Sequence, residues 1–160
     1  MDLSESTRNA LLTACSDWPP GTLDEKRLRD FLVLWRECEA MDPRKHLWAN
    51  PYLSVYGTLA PGEANERWLA SLDGMWHTAY LPGRVDRSGP YPMFYPGSGW
   101  EPARLFTSPD LTHKYPDLDR FEGPEYRRIL WPVWVEPEGW LIANVYAAWD
   151  SPLLIKVSIP

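Results

Sequence analysis

Seventeen prolines in 160 residues constrain this chain more than any other feature. Proline breaks helix interiors and removes a donor from central strands, so a long helical bundle is excluded. Short strands joined by rigid turns are favoured instead. Ten tryptophans accompany the prolines. Their ordinary role is packing inside a sheet or barrel; the alternative is an aromatic platform for sugars.

The remaining composition narrows the class. Apolar residues make up 44% and charged residues 24%, a globular balance, and the length suits one domain with a full-sized core. The net charge of −6 argues against nucleic acid, because phosphate binding needs clustered Lys and Arg. Arg127-Arg128 and Arg44-Lys45 are short and read as solvated surface. Cys15 and Cys38 lack metal-ligand spacing and suit a reducing compartment, and His46, His77 and His113 are scattered, so no metal site is expected. The apolar run Ala10-Leu11-Leu12 is too short for a signal or a span. A soluble, cytoplasmic protein that engages neither membrane nor nucleic acid is therefore expected.

Residues 1–47 read as a helical extension packed on a domain spanning 48–160. A first helix is expected over 4–16, broken by Pro19-Pro20-Gly21. Thr22 followed by Glu25 resembles a capping box, after which Leu28, Phe31, Leu32 and Trp35 recur at helical spacing. Cys38 and Met41 continue that stripe, and Pro43 ends the helix. From Tyr52 the pattern changes to strands, over 52–59, 75–81, 91–95, 103–107, 126–135 and 140–149. On the second of these, Trp76, Thr78 and Tyr80 share a face. Helices are expected over 62–72, with Trp68, Leu69 and Leu72 inward, and over 116–122, with Pro116 at its first position and Gly123 as an αL stop. The fold class is therefore α+β: a small mixed or antiparallel β-barrel of about five to six strands with flanking helices and an N-terminal helical hairpin.

Two segments could carry chemistry. Tyr56-Gly57-Thr58-Leu59 ends a strand in a glycine turn, where backbone N–H groups can converge on an anion. A plain turn is the simpler reading of those four residues. Leu118-Asp119-Arg120-Phe121-Glu122-Gly123 places Glu122 at a helix C-terminus, facing the negative end of the macrodipole. Turned into an apolar mouth, its pKa would rise above about 4.3 and suit general acid–base work near neutrality. The simpler reading is an exposed helix-end acid. A cation site built from Asp117, Asp119 and Glu125 is a third reading, without the regular oxygen spacing of a calcium loop. No nucleophile motif is present: Gly97-Ser98-Gly99 is a flexible turn, and neither cysteine has a recognisable histidine partner.

Taken together, roughly sixty residues apart, these segments resemble the gamma-glutamylcyclotransferase-like family, in particular its AIG2-like branch. The resemblance covers residues 52–149. It implies that Tyr56, Gly57, Thr58 and Leu59 form the substrate-binding loop and that Glu122, within Leu118-Asp119-x-x-Glu122-Gly123, is the catalytic acid–base. Tyr126 and Arg128 match the family's Tyr-x-Arg, and Tyr146 is the candidate for a late-strand tyrosine reaching the cavity. Two departures stand out. Ala103-Arg104-Leu105-Phe106 replaces a common Gly-Glu-Leu-Tyr, which is expected to reshape the cavity rim, and residues 90–96 are rich in Pro and Tyr. The implied reaction needs no cofactor: a γ-glutamyl amide closes to 5-oxoproline and releases a free amine. The rivals are a non-catalytic module binding a small acid or protein on the same fold, and an aromatic carbohydrate binder with tryptophans exposed in a row.

Overall fold

The structure, a computed structural model, describes residues 3–41 and 50–156. It opens with α1 (Leu3–Cys15) and α2 (Glu25–Met41). The cap of α2 is Asp24, not Thr22: the Arg27 N–H donates to Asp24 Oδ1 at 2.8 Å, while the Thr22 hydroxyl donates back to the Pro19 carbonyl. A capping side chain reaches the amide two or three residues ahead, and from Thr22 that amide still belongs to the turn after Pro19-Pro20. Leu28, Phe31, Leu32 and Trp35 are buried as their spacing predicts. The stripe fades after Trp35, for Cys38 is half-buried and Met41 is 70% exposed. The expected stop at Pro43 and the boundary at residue 47 lie outside the described residues.

Five strands follow: β1 (Tyr52–Val55), β2 (Met75–Asp86), β3 (Met93–Thr107), β4 (Tyr126–Val135) and β5 (Gly139–Ala148). They close into a ring in the order β1-β3-β2-β4-β5, and β5 returns to β1. Every pairing is antiparallel except β5 with β1, which is parallel at Leu53 and Asn144. Closure leaves few open edges, which suits a chain this rich in strand-breaking residues. Among the described residues three short helices decorate the sheet: α3 (Arg67–Ala70), α4 (Leu111–Glu122) and α5 (Pro152–Lys156). This is the mixed α+β fold that the sequence pattern indicates.

Three elements differ from expectation. The strands read at 91–95 and 103–107 are one strand, β3, and its partner β2 continues to Asp86. Pro82 pairs with Trp100 and Gly83 with Pro96, so residues 97–99 form a bulge rather than a free turn. Glycine is required there, because a Cβ on Gly99 would come within 2.2 Å of the Gly83 carbonyl oxygen. The buried residues of β2 are Ala79, Leu81, Pro82 and Gly83; Trp76 and Tyr80 are half-buried, against Phe106 and Trp100.

The second difference is α3, which is a single turn where a helix over 62–72 was expected; only Leu69 of its apolar residues is fully buried. The third is α4, which begins at Leu111, so Pro116 lies inside it. A hydrogen-bonded corner sets that earlier start: the Ser108 hydroxyl donates to the Asp73 carbonyl, and the Asp110 N–H donates to Ser108 Oγ. Gly123 ends α4 with φ +83° and ψ −175°, a positive φ that favours glycine but not the αL geometry expected.

The buried side chains form two clusters. The larger joins the helical hairpin to the sheet through an aromatic seam centred on Trp140, whose ring meets Trp18, Trp100 and Trp134 at 6.0, 5.9 and 5.4 Å. The smaller gathers Leu53, Val55, Leu59, Leu69, Phe106, Leu111, Tyr115, Leu118 and Tyr146 beneath α4. Of the tryptophans described, Trp18, Trp35, Trp131 and Trp140 are buried and only Trp149 is largely exposed, so no row of exposed rings exists among the described residues. Their part is packing. Among the described residues no helix is long and apolar enough to cross a membrane.

Candidate active site

β1 delivers the chain to the glycine turn. Immediately after Val55, residues 56–59 leave the sheet, and Leu59 anchors the turn by burying itself in the smaller cluster. The Ala60 N–H donates to the Gly57 carbonyl at 3.1 Å, and Asn65 grips Thr58 twice, N–H to carbonyl at 2.8 Å and Nδ2 to Oγ1 at 3.0 Å. The amides of Gly57, Thr58 and Leu59 differ: among the described residues, none of them donates to a protein acceptor. Pro92 presses on the turn from the other side, since a Cβ on Gly57 would stand 3.1 Å from its Cγ. These residues line one side of a cavity of about 480 Å³.

α4 supplies the other side. Leu111, Tyr115 and Leu118 bury one helical face, and Phe121 packs on Trp68 at 4.9 Å, which fixes the rotation of the last turn. Glu122 then lines the same cavity as the turn. It is half-buried, and among the described residues no hydrogen bond or ion pair holds its carboxylate. Burial, and secondarily the charge of Asp119, pushes its pKa from 4.5 up to about 7. A carboxyl at that value exists in both protonation states near neutrality, so the group can both take and return a proton. The exposed-acid reading fails here.

The remaining predicted residues take separate roles. Tyr126 and Tyr146 line the cavity, whereas Arg128 does not. Its guanidinium is spent on structure: Nε and Nη2 donate to Asp119 at 2.9 and 3.1 Å, Nη1 donates to Asn144 Oδ1 at 2.9 Å, and the group lies 4.2 Å from the centre of the Tyr115 ring. Tyr146 donates its hydroxyl proton to Asp119 Oδ1 at 2.7 Å. Asp117 pairs with Arg120 instead, so the acids near Glu122 do not converge. Among the described residues no cluster of three or more His, Cys, Asp or Glu side chains gathers that could hold a metal ion.

The expected influence of Arg104 on the rim is not found. Its side chain is exposed and lies over Trp76, 5.9 Å from the ring centre, and it does not line the cavity. The Pro- and Tyr-rich stretch does matter, because Tyr91 and Pro92 border the cavity directly. Sequence reasoning passed over Asn65, Tyr91 and Pro92 as site residues. Tyr91 and Pro92 left a trace in the Pro- and Tyr-rich stretch at 90–96, whereas Asn65 was a polar residue shortly after the glycine turn. The other two come from a segment brought over the site by the β2–β3 pairing.

Known proteins share this fold. Residues 53–156 match the family described as gamma-glutamyl cyclotransferase, AIG2-like. Among solved structures, YkqA from Bacillus subtilis superposes with a TM-score of 0.52 at 25% identity, covering 64% of this chain and 37% of YkqA. The chain thus spans little more than a third of that protein's length. An AIG2-like protein from Mus musculus gives a TM-score of 0.52 at 18% identity, covering 69% of this chain and 86% of the mouse protein. A protein from Arabidopsis thaliana studied in solution gives 0.54 at 21% identity, covering 64% of this chain and 70% of its own. The latter two likenesses speak for the fold alone. No curated protein sequence matches the chain. With a family match across most of its length, and with the glycine turn and the acid of α4 meeting at one cavity, the chain belongs to the AIG2-like gamma-glutamyl cyclotransferase family.

Proposed function

We propose that this protein is a cofactor-independent cyclotransferase that converts a γ-glutamyl amide to 5-oxoproline and a free amine in the cytoplasm. One observation carries the reading: a half-buried carboxyl titrating near 7 shares a cavity with three backbone N–H groups that have no protein acceptor among the described residues. The amides of Gly57, Thr58 and Leu59 receive the substrate's α-carboxylate. Glu122 removes a proton from the α-ammonium, whose ordinary value of about 7.7–8.0 lies close to that of the base. The freed nitrogen attacks the γ-carbonyl carbon and closes a five-membered ring. Glu122 then returns the proton to the departing nitrogen as the original C–N bond breaks, and the ring nitrogen's second proton passes to the released amine, which leaves as an ammonium. Atoms balance without another reactant.

Because nucleophile and electrophile share one molecule, orientation alone can contribute about 7–11 kcal/mol to lowering the barrier. Positioned proton transfer contributes a further factor of about 10²–10⁴. The cavity lining includes Glu122 and Glu125 but no Lys, Arg or His. A leaving amine that is neutral or cationic near the amide fits that lining better than one carrying a carboxylate there. The test is a panel of γ-glutamyl amides incubated with protein, with 5-oxoproline followed by mass spectrometry. Product from wild type and none from Glu122→Gln supports the reading. Silence across the panel leaves a binding module on the same fold, and product from Glu122→Gln removes Glu122 from the reaction.

A further inference from the structure

The hydrogen-bond polarity of the cavity tyrosines says which part of a substrate they can hold. Tyr126 donates its hydroxyl proton to the Pro92 carbonyl at 2.7 Å, and Tyr56 donates its own to the Tyr146 carbonyl. A carbonyl oxygen has no proton to give, so the direction of both bonds is forced by chemistry. Each phenol has one proton, and both protons are committed to the protein. What the two hydroxyls retain for a ligand is oxygen lone pairs.

Both phenols stand close enough to Glu122 to feel its charge. It discourages ionisation of each, after burial, and Tyr56 feels Tyr126 as well. Glu122, Tyr56 and Tyr126 also line the same cavity. Three acceptor groups are thus gathered with no protein cation among the lining residues to satisfy them. Directly after Tyr56, the amides of Gly57, Thr58 and Leu59 form the opposite polarity. The cavity lining thus combines a group of donors with a group of acceptors.

We infer that Tyr56 and Tyr126 are positioning residues that, with Glu122, seat the substrate's α-ammonium as hydrogen-bond acceptors. This rests on the cyclotransferase reading of the same site and assigns the phenols a role that reading leaves open. An ammonium group carries three N–H donors, and the seat offers three acceptors. Such a seat offers no donor to the oxyanion of the ring-closing step. It also favours product departure, because ring closure leaves one N–H where the ammonium had three and abolishes the positive charge.

Calorimetric titration with L-glutamate and with glutarate tests this, since the two differ only in the α-ammonium and neither cyclises by amine release. Wild type is expected to bind glutamate more tightly than glutarate and than 5-oxoproline. Tyr126→Phe and Tyr56→Phe are each expected to reduce the glutamate-to-glutarate ratio roughly tenfold, the scale of one hydrogen bond to a charged group, with glutarate binding unchanged. Loosening of the site by itself would weaken both ligands equally and leave the ratio intact. Tyr56 and Tyr126 are both half-buried, so either variant carries the test if the other does not tolerate substitution. A ratio unchanged in the folded variants, or no glutamate preference in wild type, overturns the ammonium seat while 5-oxoproline release stands or falls separately. A preference lost in both variants without any 5-oxoproline release keeps the seat and removes the reaction.

Discussion

The aromatic seam around Trp140 and the cavity around Glu122 follow opposite rules. At the seam, large rings meet edge to face and their polar atoms are mostly spoken for: Trp140 Nε1 donates to the Trp18 carbonyl at 3.0 Å, and Trp131 Nε1 donates to the Pro82 carbonyl at 2.8 Å. Trp35 is the exception, with no partner for its Nε1, yet its ring lies against the guanidinium groups of Arg36 and Arg127 at 5.4 Å each. At the cavity, among the described residues, a carboxylate and three amides are left without protein partners. Unmet polar groups destabilise a fold by about 1–3 kcal/mol each where water cannot reach them, so a cavity open to solvent is where they can be kept. The contrast teaches that the seam supplies stability and the cavity spends some of it to keep chemistry available.

The largest test of that division is Glu122→Gln. It should lower kcat/KM by on the order of 10³-fold, about 4 kcal/mol, in a 5-oxoproline assay while the unfolding midpoint holds or rises. A fall in both would erase the distinction between the regions. Trp140→Ala should show the reverse, costing about 3–4 kcal/mol in urea unfolding, with the KM of the still-folded fraction unchanged. A selective loss of activity there would show that the seam reaches into the site.

Protonation gives a finer test. The Glu122 carboxyl has a folded pKa of about 7 against 4.5 for the free group, so the folded state binds more protons than the unfolded between those values. Stability associated with the neutral acid is therefore complete below pH 4.5 and lost as pH rises through 7. Glu122→Gln should be more stable than wild type by up to about 3 kcal/mol at pH 8, and the two should converge at about pH 4. The same titration predicts that wild-type kcat/KM falls about tenfold per unit below pH 7, as the base becomes protonated. Coincident stability curves at pH 8 would mean that Glu122 titrates like a free carboxyl. The smallest effect is expected for Arg104→Glu, which restores the residue common in the family at an exposed position outside both regions. Stability should change by less than about 0.5 kcal/mol and activity hardly at all.

The two regions were not equally legible. On α2 the apolar spacing identified Leu28, Phe31, Leu32 and Trp35 as buried, because helical periodicity is local and survives in any tertiary context. The glycine turn and the acid were legible as motifs for a similar reason: short runs with fixed backbone demands carry their own signature. β3 was misread, because Pro96, Gly97, Gly99 and Pro102 look like punctuation until β2 supplies a partner around the bulge. Pro116 misled in the same way, since the corner at Ser108 starts α4 before the proline is reached.

The sequence by itself determined which segments could be helix, strand or anion-gripping turn, and that Glu122 would end a helix, since these depend on neighbours a few residues away. The closed sheet decided the rest. Only when β1, β4, β5 and α4 meet does Glu122 leave bulk water and face the amides of residues 57–59. The same closure gives Arg128 to Asp119 and turns the protons of Tyr56 and Tyr126 into the protein. Burial and hydrogen-bond polarity belong to spatial neighbours far apart in the chain, and residue order carries no record of them.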